Sequence, residues 1–385
     1  MFAKRTEWEH RVSLLGAAVE RLGREGRAVL DLTETNPTRC GFHYSANRLE
    51  SALADEAVQT YAPLPFGLPD ARQAVAAYYA PQGITVAPGR VLITAGTSEA
   101  YSHLFRLLLN PGETVLVPSP SYPLLDMLAR LNDVRLVPYP LHYDGRWWLD
   151  VDGLRDALDA SCRAIVVISP NNPTGSCLKR AERNELEALA AERGLALIVD
   201  EVFGDYRLEV DPEDAGSMAG ASRALTFTLN GISKMLGLPQ MKLAWTVISG
   251  PEELAAQATL RLEIMADAYL SVGTAPQVAL AAWLQRRSAI QAEIRERLRA
   301  NLAQVRCLKS VECLHLEGGW CAVLRVPRLG PDEDFAADLL ARDGVLVDPG
   351  SLFGFPTEGY VVVSLLPPLA IFAEGIRRLD RRVGL

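Results

Sequence analysis

The stretch "NGISKMLGLPQMK", residues 230–242, holds two amines, Lys234 and Lys242, in a chain with five lysines against thirty-four arginines. A lysine here can simply lay its stem along apolar surface with its head in water. It can also be an amine kept partly dry, with a lowered pKa, able to attack a carbonyl as a guanidinium cannot. The run "LIVDEVF" ends in Asp200 and Glu201 after a very apolar segment. A carboxylate at such a place caps a helix, sits on a wet rim, or faces a cation such as a protonated ring nitrogen. In "AGTSEAY", Gly96, Thr97 and Ser98 lead into a helical pattern. Backbone N–H groups and small hydroxyls there can hold a phosphate or serve as an ordinary cap. Tyr122 in "PSPSYPLL" can stack on a planar ring or fill core. Asn171 and Asn172 in "SPNNPTGS" read by themselves as a turn. Neither GxGxxG nor GxxxxGK[ST] occurs, so the dinucleotide and ATP fingerprints are missing.

The elements that must position these residues follow from patterning. From about residue 70 to 250, seven β-rich runs alternate with helical stretches: "RVLITAG", "ETVLVPSP", "DVRLVPYPL", "RAIVVISP", "LALIVDEVF", "ALTFTLN" and "AWTVISG". Such alternation predicts an α/β fold: a large domain with a mostly parallel seven-stranded sheet flanked by helices. Ligands bind at the carboxyl ends of such strands, where the residues above fall. Long helices are expected over "PEELAAQATLRLEIMADAY" and residues 275–305, the second bridging two domains. Two strand-like runs joined by "EGG", then "DEDFAADLLARDG", "GYVVVSLLP" and a final helix predict a smaller α+β domain. The expected division is 46–275 for the large domain, and 1–45 with 276–385 for the small one.

At 385 residues, about half of them apolar, the chain has material for a large core. A net charge of -8 and no basic block argue against nucleic acid. No run nears eighteen apolar residues and the amino terminus lacks a signal-peptide pattern, so neither a membrane span nor export is expected. Six cysteines without CxxC spacing fit a reducing compartment, and five histidines, His10 among them, show no metal-ligand spacing, so no metal is expected.

In order and spacing, "GTSEA", "PSYP", "NNPTG", "DEVF" and "SKMLGL" resemble the class I/II aminotransferases, fold type I enzymes that use pyridoxal 5'-phosphate. "TYAPLPFGLPDARQAV" before them and "VDPGSLFG" near the end extend the likeness through most of the chain. The resemblance implies an aspartate aminotransferase-like fold and a Schiff base between Lys234 and the cofactor aldehyde. It implies that the freed Lys234 moves the substrate proton, that Asp200 pairs with the ring N–H, that Asn172 bonds the ring oxygen, and that Tyr122 stacks on the ring. Gly96, Thr97, Ser233 and Lys242 would hold the phosphate, with Ser98 also in the cofactor site. Tyr61 would reach the phosphate of a neighbouring subunit, which makes the expected unit a cytoplasmic homodimer.

Three positions depart from the pattern. Phe203 stands where the family usually has a tyrosine, Lys242 where it has an arginine, and Val362 where an arginine clamps the substrate carboxylate. Arg39 in "TNPTRCGF" is the candidate to replace that clamp; otherwise the substrate lacks a carboxylate there. The expected reaction is amino transfer between an amino acid or amine and a 2-oxo acid. The alternatives are a lyase, decarboxylase or cyclase using the same cofactor, and a non-catalytic binding or regulatory protein.

Overall fold

The computed structural model describes residues 1–8, 13–44, 54–209, 211–328 and 330–384; His10 and the expected domain boundary at 45/46 lie outside them. In chain order the strands are β1 (Leu30–Asp31), β2 (Val91–Thr94), β3 (Thr114–Ser119), β4 (Arg135–Tyr143), β5 (Trp147–Leu149), β6 (Cys162–Ile168) and β7 (Ala196–Asp200). They continue with β8 (Thr226–Gly231), β9 (Ala244–Ser249), β10 (Glu312–Cys313), β11 (Cys321–Arg325), β12 (Val345–Leu346), β13 (Asp348–Pro349) and β14 (Tyr360–Ser364).

The large sheet has the order β2-β9-β8-β7-β6-β3-β4-β5. Strands β8, β7, β6, β3 and β4 pair in parallel, β9 is antiparallel to both neighbours, and β5 is antiparallel to β4. The sheet thus has eight strands rather than seven. The addition, Trp147–Leu149, is three residues long and follows a turn at Gly145 (φ 98°), too short to show alternation of its own. The central strands are buried along their length, save for Arg163 near the start of β6, because helices cover both faces. Tyr101, Leu104, Leu125 and Leu262 pack with Val115, Val117 and Ile198 on one face, while Leu154, Leu186 and Leu189 pack with Leu116, Ile165 and Leu197 on the other. Alternate strand residues thereby serve opposite layers.

A second, antiparallel sheet has the order β10-β11-β14-β13, and β1 pairs in parallel with β12. Ala18 and Leu22 of the helix Leu14–Arg24 pack on Leu340 of the helix Asp332–Asp343. The helix Thr274–Arg306, 33 residues and so about 50 Å long, runs past both sheets. Its Trp283, Ile294 and Leu298 share one core with Val75 and Tyr79 near the large sheet and with Leu339, Phe372 and Ile376 near the small one. No helix among the described residues is long and apolar enough to cross a membrane.

One glycine fixes the start of the lysine segment. A Cβ on Gly231 would lie 2.8 Å from the Ala244 Cβ and 2.9 Å from its Cα, so β8 and β9 approach too closely here for any side chain. Gly231→Ala is expected to cost about 1–3 kcal/mol through overpacking. Urea unfolding checks this, and an unchanged midpoint would mean that the two strands can part freely.

Candidate active site

Strands β2, β3, β6, β7 and β8 run in one direction, so their carboxyl ends open on the same edge of the sheet. Lys234 lies on the short helix Ile232–Met235 that follows β8. Its Nζ stands 5.1 Å from the centroid of Trp320 and 5.7 Å from that of Phe203, and among the described residues it makes no hydrogen bond or ion pair. Burial pulls its pKa below the usual lysine range, opposed by Cys321 and Asp200. The Cys321 thiol is itself pushed up to about 12 by burial. An amine so placed has access to its neutral, nucleophilic form.

Asp200 ends β7 and is buried. Tyr101 donates its hydroxyl to Asp200 Oδ2 (3.1 Å), and the Val202 N–H donates to Oδ1 (3.1 Å). Burial pushes the carboxyl up to about 6 against those bonds and the nearby Lys234. A buried acid held open by two donors is matched to a cationic partner.

The helix Thr97–Leu108 follows β2, with Gly96 at its amino end. A Cβ on Gly96 would sit 3.3 Å from Lys242 Nζ, so this amine stands directly over the helix start. Lys242 adopts φ 48°, a left-handed conformation rare outside glycine. Free N–H groups, a helix dipole and a cation together suit a phosphate. Thr97 and Ser233 are half-buried and Ser98 is exposed.

Asn172 is half-buried on the loop after β6, and its Oδ1 is a buried atom without a hydrogen-bond partner, as is Ser121 Oγ. Amide oxygen and nitrogen are interchangeable in assignment, so this group can equally present its NH₂ to a ligand oxygen. Tyr122, 38 % exposed, lies close enough to Asp200 for that charge to add to burial in raising its phenol pKa. A phosphate cradle, a buried acid, an unpartnered amide and a desolvated amine on one sheet edge fit a phosphorylated, protonated heteroaromatic aldehyde.

The remaining expected residues stand differently. Tyr61 is 79 % exposed. The Arg39 side chain is 75 % exposed and lies 3.7 Å from Glu34 Oε2. Val362, on β14, is sealed among Trp147, Leu314, Cys321, Val323 and Phe353. Three neighbours escaped the sequence reading: Tyr101, Trp320 and Cys321. Tyr101 lies one helical turn beyond Thr97, but its residue type there reads as ordinary core. Trp320 and Cys321 follow "EGG", a turn whose placement against Lys234 depends on the second sheet.

Comparison with known proteins places the chain in a family. The family model for aminotransferase class I and II matches residues 33–367, and the chain belongs to that family, whose members depend on pyridoxal 5'-phosphate. Glutamate-pyruvate aminotransferase AlaA of Haemophilus influenzae is 28% identical over 373 residues, covering 94% of this chain and 92% of that protein. A crystal structure of an aminotransferase from Escherichia coli superimposes with a TM-score of 0.88 at 25% identity, covering 100% of this chain and 98% of that one. Alanine aminotransferase from Pyrococcus furiosus gives a TM-score of 0.90 over 100% of both chains, and at 24% identity it speaks for the fold alone. The protein is a pyridoxal phosphate-dependent aminotransferase of fold type I.

Phe203 is buried, edge-on to Trp320 at 5.5 Å between centroids. It has no hydroxyl to stabilise an anionic ring oxygen. Phe203→Tyr is therefore expected to make the visible absorbance of the bound cofactor titrate at lower pH. Absorbance titration of both proteins checks this; a higher or equal midpoint would remove Phe203 from the cofactor's side.

Proposed function

We propose that Lys234 and Asp200 are the catalytic pair of an enzyme that moves an amino group from an amino acid or amine to a 2-oxo acid. The bound cofactor supplies an aldehyde and an electron sink for the substrate carbanion. The chain supplies the rest. Lys234 holds and returns the proton at the substrate carbon, and Asp200 keeps a positive charge on the ring side. Gly96, Thr97, Ser98, Ser233 and Lys242 anchor the phosphate, Asn172 bonds the ring oxygen, and Tyr122 and Phe203 confine the ring. The observation that carries this reading is the unpaired, desolvated Lys234 amine between Phe203 and Trp320, beside the buried Asp200.

The relative named for glutamate and pyruvate supports a small 2-oxo acid as acceptor. Arg39, exposed and only loosely tied to Glu34, is free to meet its carboxylate. The reading includes a cytoplasmic homodimer. Tyr61 is exposed, and so are Leu260, Ile264 and Tyr269 on and after the helix Glu252–Asp267, which gives a partner subunit apolar surface to cover. The division into residues 46–275 and 1–45 with 276–385 belongs to the same proposal. A second reading, a lyase, decarboxylase or cyclase with the same cofactor, is favoured by the neutral Val362. The test is to mix holoenzyme with a panel of amines and amino acids, denature, and assay pyridoxamine phosphate. Its formation with any donor supports amino transfer. Carbon dioxide or ammonia release without it supports the second reading.

A further inference from the structure

The wall of the site next to Val362 carries an acid that the proposed mechanism does not use. β13 pairs with β14 so that Asp348 is directly opposite Val362, and β11 places Val323 opposite Val362 on the other side. Directly opposed residues of antiparallel strands present their side chains on one face, so Asp348, Val362 and Val323 share a surface. Cys321 shares it too, two residues from Val323, and it is close enough to both Asp348 and Lys234 for each charge to act on the thiol. Cys321 thus has both Asp348 and Lys234 for neighbours.

Asp348 is half-buried, and among the described residues its carboxylate makes no hydrogen bond or ion pair. Another acid, Asp31, lies close enough for its charge to act on Asp348, and its Oδ1 already accepts from the Thr33 N–H (2.8 Å) and hydroxyl (2.7 Å). Burial and Asp31 push the Asp348 carboxyl up to about 7. A separate feature of the same site has the same preference. The ring faces of Trp320 and Phe203 lie toward the Lys234 amine, 5.1 Å and 5.7 Å from it. Ring faces attract cations, and a desolvated carboxylate beside another acid repels a substrate carboxylate.

We infer that Asp348 receives a second cationic group of the amino donor, so that the donor is a basic amine such as a terminal diamine without a carboxylate on its reacting carbon. The inference rests on the proposed Lys234 site and names its donor class. Arg39 then serves the 2-oxo acid alone.

The test compares diaminopentane, pentylamine and alanine as donors to the holoenzyme, with dissociation constants read from the visible absorbance of the cofactor. The wild type is expected to bind diaminopentane about tenfold or more tighter than pentylamine, the scale of one charge-assisted hydrogen bond. In Asp348→Asn that ratio should collapse toward one. Equal affinities in the wild type, which need no variant, overturn the inference, as does a ratio that survives Asp348→Asn or a clear preference for alanine. Pyridoxamine phosphate assayed on the same samples separates the two levels. A diamine bound through Asp348 but giving none would sustain the donor class and refute amino transfer. Alanine converted in preference to diaminopentane would do the reverse.

Discussion

Lys234→Ala is expected to lower turnover by roughly a millionfold, the scale seen when a covalent nucleophile is removed. The amine has no structural partner to lose: its neighbours are the faces of Trp320 and Phe203, and no ion pair holds it among the described residues. Thermal stability should therefore change little. Removing a buried amine could even relieve the desolvation that lowers its pKa. Turnover and melting temperature measured on the same preparation check both halves. Retained turnover would refute the assignment of the lysine, and a collapsed fold would show that the amine is there for packing.

Asp200→Asn is expected to separate function from stability in the opposite sense. Burial lifts the folded carboxyl from 3.8 to about 6, so the folded apoprotein keeps its proton where the unfolded chain has lost it. Across about pH 4 to 6 the apoprotein consequently loses stability on this group's account, by about 3 kcal/mol once both states are ionised. Below about pH 4 the penalty is absent. An amide avoids it while still accepting from the Val202 N–H and meeting the Tyr101 hydroxyl. The Asp200→Asn apoprotein should be more stable than wild type at pH 7, with little difference at about pH 3. Turnover of the holoenzyme should fall on the order of a thousandfold, because a neutral amide cannot keep positive charge on the ring. Denaturant unfolding at the two pH values and steady-state rates test this. A destabilised apoprotein at pH 7 would mean that the charge on Asp200 is paired by the protein itself.

Much of this was legible in the sequence because it rests on local periodicity. All seven β-rich runs became strands, and the loops after five of them lie where parallel strands put them. Residue choice drew notice to Lys234 and Lys242, two amines in a chain that otherwise prefers guanidinium, and the family resemblance singled out Lys234. What escaped depends on contacts between distant segments. The Tyr101 bond to Asp200 joins residues 99 apart, and nothing in "AYSHLF" marks that tyrosine off from core. Trp320 reaches Lys234 because the turn at Gly318 and Gly319 packs against Pro170 and Asn171, which patterning cannot forecast. Asp348 reads as the start of a turn in "VDPGS" until strand register sets it opposite Val362. β5 was missed for a different reason: it is a hairpin extension of β4 whose three residues gain stability only from that pairing.

One particular lysine, Lys234, is proposed to carry the cofactor. Borohydride reduction of the holoenzyme fixes the cofactor to whichever amine holds it, and peptide mapping by mass then names the residue. A single phosphopyridoxyl group is expected on the peptide containing Lys234, with Lys242 in the neighbouring sequence unmodified. Label on Lys242, on any of the other three lysines, or on none of the five would contradict it.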